Sequence, residues 1–239
     1  MDEIQEQILE LVRKADVPDP VHYVDYAVEG LAMETLNSFI RDCSYCPECC
    51  GGTKSLVGGN PHGAVMIIGD KVLRSQVGKD AVLPLAGTPE QALLDEVLEE
   101  LHVNHEQLLW MNVVNCFTHK KLGDEALERS PTSMEIENCQ TYVDYAIDAF
   151  KPLYIITLGN IALNVFKSGV IKKDRGEWFV IRDKIPVMPT YSPSYLIQME
   201  EIKDEFIADY KKEFREDIRE VFALAMEDHP DSDIILKNE

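Results

Sequence analysis

The chain has 239 residues, 45% of them hydrophobic, and a formal net charge of −20, which is long enough for one large domain, or a domain with an extension, to bury a full core. No stretch reaches the roughly 18 apolar residues of a membrane span, and the opening Met1-Asp2-Glu3-Ile4 is acidic rather than signal-like. The expectation is a cytoplasmic protein whose six cysteines stay reduced, where metal sites are commoner than disulfides.

In chain order, residues 2–14 carry Ile4, Ile8, Leu11 and Val12 on one helical face, and a second helix is predicted from Val21 to Ile40. Together, residues 1–42 read as an N-terminal helical extension. Ala64–Gly69 is a short apolar run of the kind buried in a parallel sheet. A helix follows with Leu93, Leu94, Val97, Leu98 and Leu101 on one face, and then a strand at Leu108–Val114. Thr132 and Glu135 have capping-box spacing and open a helix to about Phe150. Tyr154–Gly159 is a third strand, with two more at Trp178–Ile181 and Ile185–Met188. A long helix from Glu200 to Met226 closes the domain, and Glu227–Glu239 reads as a loose acidic tail. Strands alternating with helices predict an α/β fold in which a mostly parallel sheet is covered on both faces. Ligands then sit at the carboxyl ends of the strands, near Asp70, Asn112 and the loop after Met188.

The cysteines carry the chemistry that spacing can show. Cys43 and Cys46 form a C-x2-C pair, Cys49 and Cys50 follow at once, and Cys116 and Cys139 stand far downstream. Two distant pairs suffice for a four-cysteine site. Spacing alone leaves iron–sulfur and zinc level, with a zinc site on Cys43, Cys46, Cys49 and Cys50 or buried thiols as alternatives.

The order of motifs resembles the family 4 uracil-DNA glycosylases, the iron–sulfur branch of that superfamily, from about Cys43 to Ala225. The resemblance is carried by Cys43-x2-Cys46, Gly58-Gly59-Asn60-Pro61, Ile68-Gly69-Asp70, Leu83-Pro84-Leu85-Ala86-Gly87 and Asn112-Val113-Val114-Asn115-Cys116. Cys139, Pro152 with Ile155–Asn160, Arg175-Gly176-Glu177-Trp178 and Pro189–Leu196 complete it. It implies a uracil-DNA glycosylase-like three-layer α/β/α domain over residues 43–226. It also implies a [4Fe–4S] cluster on Cys43, Cys46, Cys116 and Cys139, with zinc as the lesser alternative. DNA, single- or double-stranded with a flipped base, is the implied partner.

Excising uracil needs a flipped base, a reader of its polar edge, a flat surface to stack on, an acid to orient water and a donor for the departing anion. Asn112 matches the reader's position, and an amide offers both a donor and an acceptor. Asp70, after Gly69, stands where the family has Glu and is one methylene shorter. Leu85 stands where an aromatic ring stacks, and Ser192 where the family has a His donor. A hydroxyl can donate but brings no charge, and losing such a donor typically costs roughly 2.7–4 kcal/mol in the barrier. Lys120, Lys121, Lys172, Lys173 and Arg175 are candidate phosphate contacts, while the cations of the last helix read as surface pairs. Against a glycosylase with weak or altered specificity stand two other readings. One is an inactive relative that binds replication or repair proteins, and the other is an acidic DNA mimic.

Overall fold

The computed structural model describes residues 20–46, 52–122 and 125–228. The predicted helix at 2–14, Cys49, Cys50 and most of the predicted tail lie outside them. Helix α1 spans Pro20–Asp42, and two short strands, β1 (Lys54–Ser55) and β2 (Gly58–Gly59), lead to β3 (Val65–Lys71). β4 (Ala81–Val82), α2 (Pro89–Glu100) and β5 (Leu109–Val114) follow, then a hairpin of β6 (His119–Leu122) and β7 (Glu125–Glu128). α3 (Ser133–Phe150), β8 (Tyr154–Leu158), α4 (Asn160–Phe166), α5 (Ile171–Asp174), β9 (Phe179–Ile181) and β10 (Ile185–Thr190) come next. Two helices, α6 (Pro193–Glu201) and α7 (Ile207–Asp228), end the described chain.

The central sheet has six strands in the order β2-β5-β3-β8-β10-β9. β5, β3, β8 and β10 run parallel, and the edge strands β2 and β9 are antiparallel to their neighbours. Alternation along β3 shows why the sheet is covered twice. Val65 and Ile67 pack with Leu94, Leu98, Phe214 and Ile218 of α2 and α7. Met66 and Ile68 pack with Leu36 and Ile40 of α1 and Val143 and Ile147 of α3. The result is the expected three-layer α/β/α fold.

Local signals placed most of these elements. Thr132 forms the expected capping box with Glu135 at the start of α3, and α7 buries Phe214, Ile218, Val221, Phe222 and Ala225 at helical spacing. Two features depart from expectation. The last predicted helix starts at Ile207, because Lys203 takes a left-handed φ of 55° and Asp204 Oδ1 accepts the Phe206 N–H at 2.8 Å. The hairpin of β6 and β7 lies where no strand was expected. In α1, Phe39 is 60% exposed while Leu36 and Ile40 are the buried pair. Among the described residues, no helix is long and apolar enough to cross a membrane.

Candidate active site

The parallel strands deliver Asp70, from the end of β3, beside Ser192, from the loop after β10. Both line one small pocket of about 100 Å³ with Gly69, Leu85, Leu158 and Glu128. Asp70 Oδ1 accepts the Ala162 N–H at 2.9 Å, so one carboxylate oxygen serves the first turn of α4. The other oxygen faces Gly159, where an added Cβ would come within 2.7 Å of Asp70 Oδ2 and 3.0 Å of Ser192 Cβ. Gly159 also has a φ of 100°, in the region that L side chains avoid. It therefore keeps open the space between the acid and the hydroxyl. Burial pushes Asp70 from 3.8 up to about 7, against the lowering pull of the Ala162 N–H, Lys71 and the Ile161 N–H. A carboxylate poised there can exchange a proton near neutral pH.

Asn112 is paired with Gly69 across β5 and β3 and is 1% exposed. Its Nδ2 donates to Ser55 Oγ at 3.0 Å, while Oδ1 has no hydrogen-bond partner among the described residues. An added Cβ on Gly69 would sit 2.5 Å from that oxygen. Asn112 thus stands beside the pocket wall at Gly69 and is not itself among the lining residues. Gly69→Ala is expected to displace the amide and, as overpacking, to cost about 1–3 kcal/mol; a denaturant midpoint measures it.

Leu85 lines the pocket in a left-handed conformation, φ 60°, which costs a non-glycine residue about 1–2 kcal/mol. Its carbonyl is held by the Thr88 N–H at 3.1 Å and the Thr88 hydroxyl at 2.6 Å. Ser192 is the N-cap of α6, its Oγ accepting the Tyr195 N–H at 3.2 Å. The Ser-Pro pair at 192–193 carries this capping signal. The rim is built by the hairpin: Lys71 pairs with Glu128, and Arg74 donates to the Ala126 carbonyl.

The candidate phosphate contacts divide. Arg175 is not available, because its Nε donates to Asp217 Oδ2 at 2.9 Å and its Nη1 lies 3.4 Å from Glu213. Thr190 donates to the same buried Asp217 at 2.6 Å, so this network ties β10 to α7. Lys172 lies over the rings of Tyr195 and Tyr210, 5.4 Å from each. Lys120 and Lys173 are exposed, and the side chain of Lys121 lies outside the description. His119 stacks on Phe117 with ring centroids 5.6 Å apart and does not line the pocket. Of the cations expected on the last helix, Lys211, Lys212 and Arg215 pair with glutamates, while Lys203 lies ahead of α7 in a left-handed turn.

The four cysteines converge. Cys139 and Cys116 are buried, Cys43 and Cys46 half-buried. Burial, and after it the neighbouring Cys116, Cys43 and Cys46, push the Cys139 thiol up to about 12, with the Asn115 N–H acting against them. Donors reach two of these sulfurs: Asn138 Nδ2 reaches Cys46 Sγ at 3.4 Å, and Lys54 Nζ reaches Cys116 Sγ at 3.2 Å. Among the described residues, no three His, Cys, Asp or Glu side chains form a group that could hold a single metal ion.

A doubly covered parallel sheet with an acid, an amide and a hydroxyl gathered at its strand ends defines an α/β protein with a small-ligand pocket. The match is more specific than that. The family model "Uracil DNA glycosylase superfamily" covers residues 57–219, and the chain belongs to this superfamily. The chain is similar to type-4 uracil-DNA glycosylases from several organisms. It is 25% identical to that of Archaeoglobus fulgidus, over 75% of this chain and 92% of the relative. It is 29% identical to that of Thermotoga maritima, over 70% and 83%, and 26% identical to that of Sulfurisphaera tokodaii, over 76% and 83%.

Proposed function

We propose that the chain is a DNA glycosylase that hydrolyses the N-glycosidic bond of uracil, or of a modified pyrimidine, flipped out of DNA. The observation that carries this reading is the gathering of Asp70, Leu85 and Ser192 in one pocket, with Asn112 beside its Gly69 wall. Asp70 orients a water and takes its proton as the oxygen bonds to the sugar C1′. The bond from C1′ to the base nitrogen breaks, and its electron pair leaves with the base. Ser192 donates a hydrogen bond to that anion, and the partnerless Oδ1 of Asn112 accepts an N–H of the base edge. Leu85 packs against the ring. Exposed Lys120 and Lys173 meet phosphates, compensating locally for the acidic surface. The unit that does this is residues 43–226.

Cys43, Cys46, Cys116 and Cys139 would hold a [4Fe–4S] cluster. Donors on two of the sulfurs, from Asn138 Nδ2 to Cys46 and from Lys54 Nζ to Cys116, suit thiolate ligands. When bound, the cluster supplies a four-point cross-link between the turn after α1, the loop after β5 and α3.

The test uses iron-loaded protein and oligonucleotides carrying one uracil, single- and double-stranded, read by alkaline cleavage at abasic sites. The expected result is cleavage at the uracil position. No abasic product on either substrate, nor on modified pyrimidines, overturns the reading.

A further inference from the structure

Lys54 occupies an unusual place for a cation. It is 6% exposed, and its ammonium donates to Cys116 Sγ at 3.2 Å and to the Cys43 carbonyl at 3.2 Å. Its backbone is fixed on both sides: Lys54 bridges to Cys116, pairs with Ala81, and donates its N–H to the Asp80 carbonyl at 3.4 Å. Burying an ammonium costs several kcal/mol unless a charge partner and hydrogen bonds offset it. A cysteine that ligates an iron–sulfur cluster does so as a thiolate, which meets the ammonium with opposite charge. Asn138, which reaches Cys46 Sγ, is neutral, whereas Lys54 brings a charge to Cys116.

We infer that Lys54 is a positioning and tuning residue of the iron–sulfur centre. It holds Cys116 in place as a ligand, ties it to the Cys43 turn, and sets one positive charge against the cluster. The inference rests on the four-cysteine cluster reading given above. Hydrogen bonds to the sulfurs and nearby charge are main determinants of such a centre's potential. A fixed cation favours the form carrying one more electron, so Lys54 raises the midpoint potential.

The experiment is film voltammetry on anaerobically purified protein, with iron content and circular dichroism measured in parallel. Lys54→Met and Lys54→Gln remove the charge, and Lys54→Arg keeps it. At a fixed potential the neutral variants are expected to show a roughly tenfold lower reduced-to-oxidised ratio, a midpoint about 59 mV more negative for a one-electron couple. Lys54→Arg is expected to stay closer to wild type. If the neutral variants fold but lose iron that Lys54→Arg retains, the charge is holding the ligand set, and the inference is supported. An iron-loaded neutral variant with the wild-type midpoint overturns it and leaves the cluster reading intact. Wild-type protein that takes up no iron overturns the cluster reading, and the inference with it.

Discussion

Asp70→Asn is expected to lower uracil excision by about 10²–10⁴-fold, the range general acid–base groups contribute, while making the fold more stable at neutral and alkaline pH. Both effects come from one fact, the rise of the Asp70 carboxyl from 3.8 to about 7 on burial. Between those values the folded chain keeps a proton that the unfolded chain has released. Stability therefore falls as pH climbs through the window, and it is fully present only below it. Asn has no such titration. The gap in melting temperature between variant and wild type should be near zero at pH 4 and widest above pH 7. Wild-type excision should climb over the same interval, as the base deprotonates. A gap that does not change with pH would show that Asp70 is solvated and unsuited to the role.

The second large effect is on the cysteines. Cys139→Ser removes a buried thiol from α3, the helix that backs β5 and α1. It should abolish iron binding and cost about 4–5 kcal/mol or more, the size reserved for losing a metal or its equivalent. The brown colour of anaerobic protein and its thermal transition report the two losses together. Colour and melting point both unchanged would mean that Cys139 is an ordinary core thiol.

The strands were readable because a parallel sheet buried on both faces demands short apolar runs, and the runs ending at Gly69, Val114 and Leu158 have no competing helical period. Cys43 and Cys46 were readable as a C-x2-C pair, whereas their grouping with the distant Cys116 and Cys139 came through the family pattern. The hairpin of β6 and β7 was not. His119–Glu128 is mostly polar and charged, and its position is set by Lys71 and Arg74 reaching across from another segment. Arg175 was misassigned for a similar reason: a basic residue in a loop looks open to phosphate, and its true partner Asp217 lies 42 positions away. Asp70, Leu85 and Ser192 were placed together through the family pattern, but the left-handed turn at Leu85 and the capping job of Ser192 are properties of the backbone. Gly159, which spaces the acid from the hydroxyl, read only as the end of a strand. Lys54 and Ser55 carried no signal, since a two-residue strand shows no period.

That two-residue strand has a bearing on which insertions and deletions this lineage could tolerate. Lys54 turns its side chain to a sulfur, and Ser55 turns the other way to the amide of Asn112. Adjacent residues of an extended chain face opposite sides. Gaining or losing one residue ahead of β1 at constant pairing would push a hydroxyl or a neighbour toward the sulfur and an ammonium toward the amide. Lys54 and Ser55 should therefore be held in type as firmly as in register.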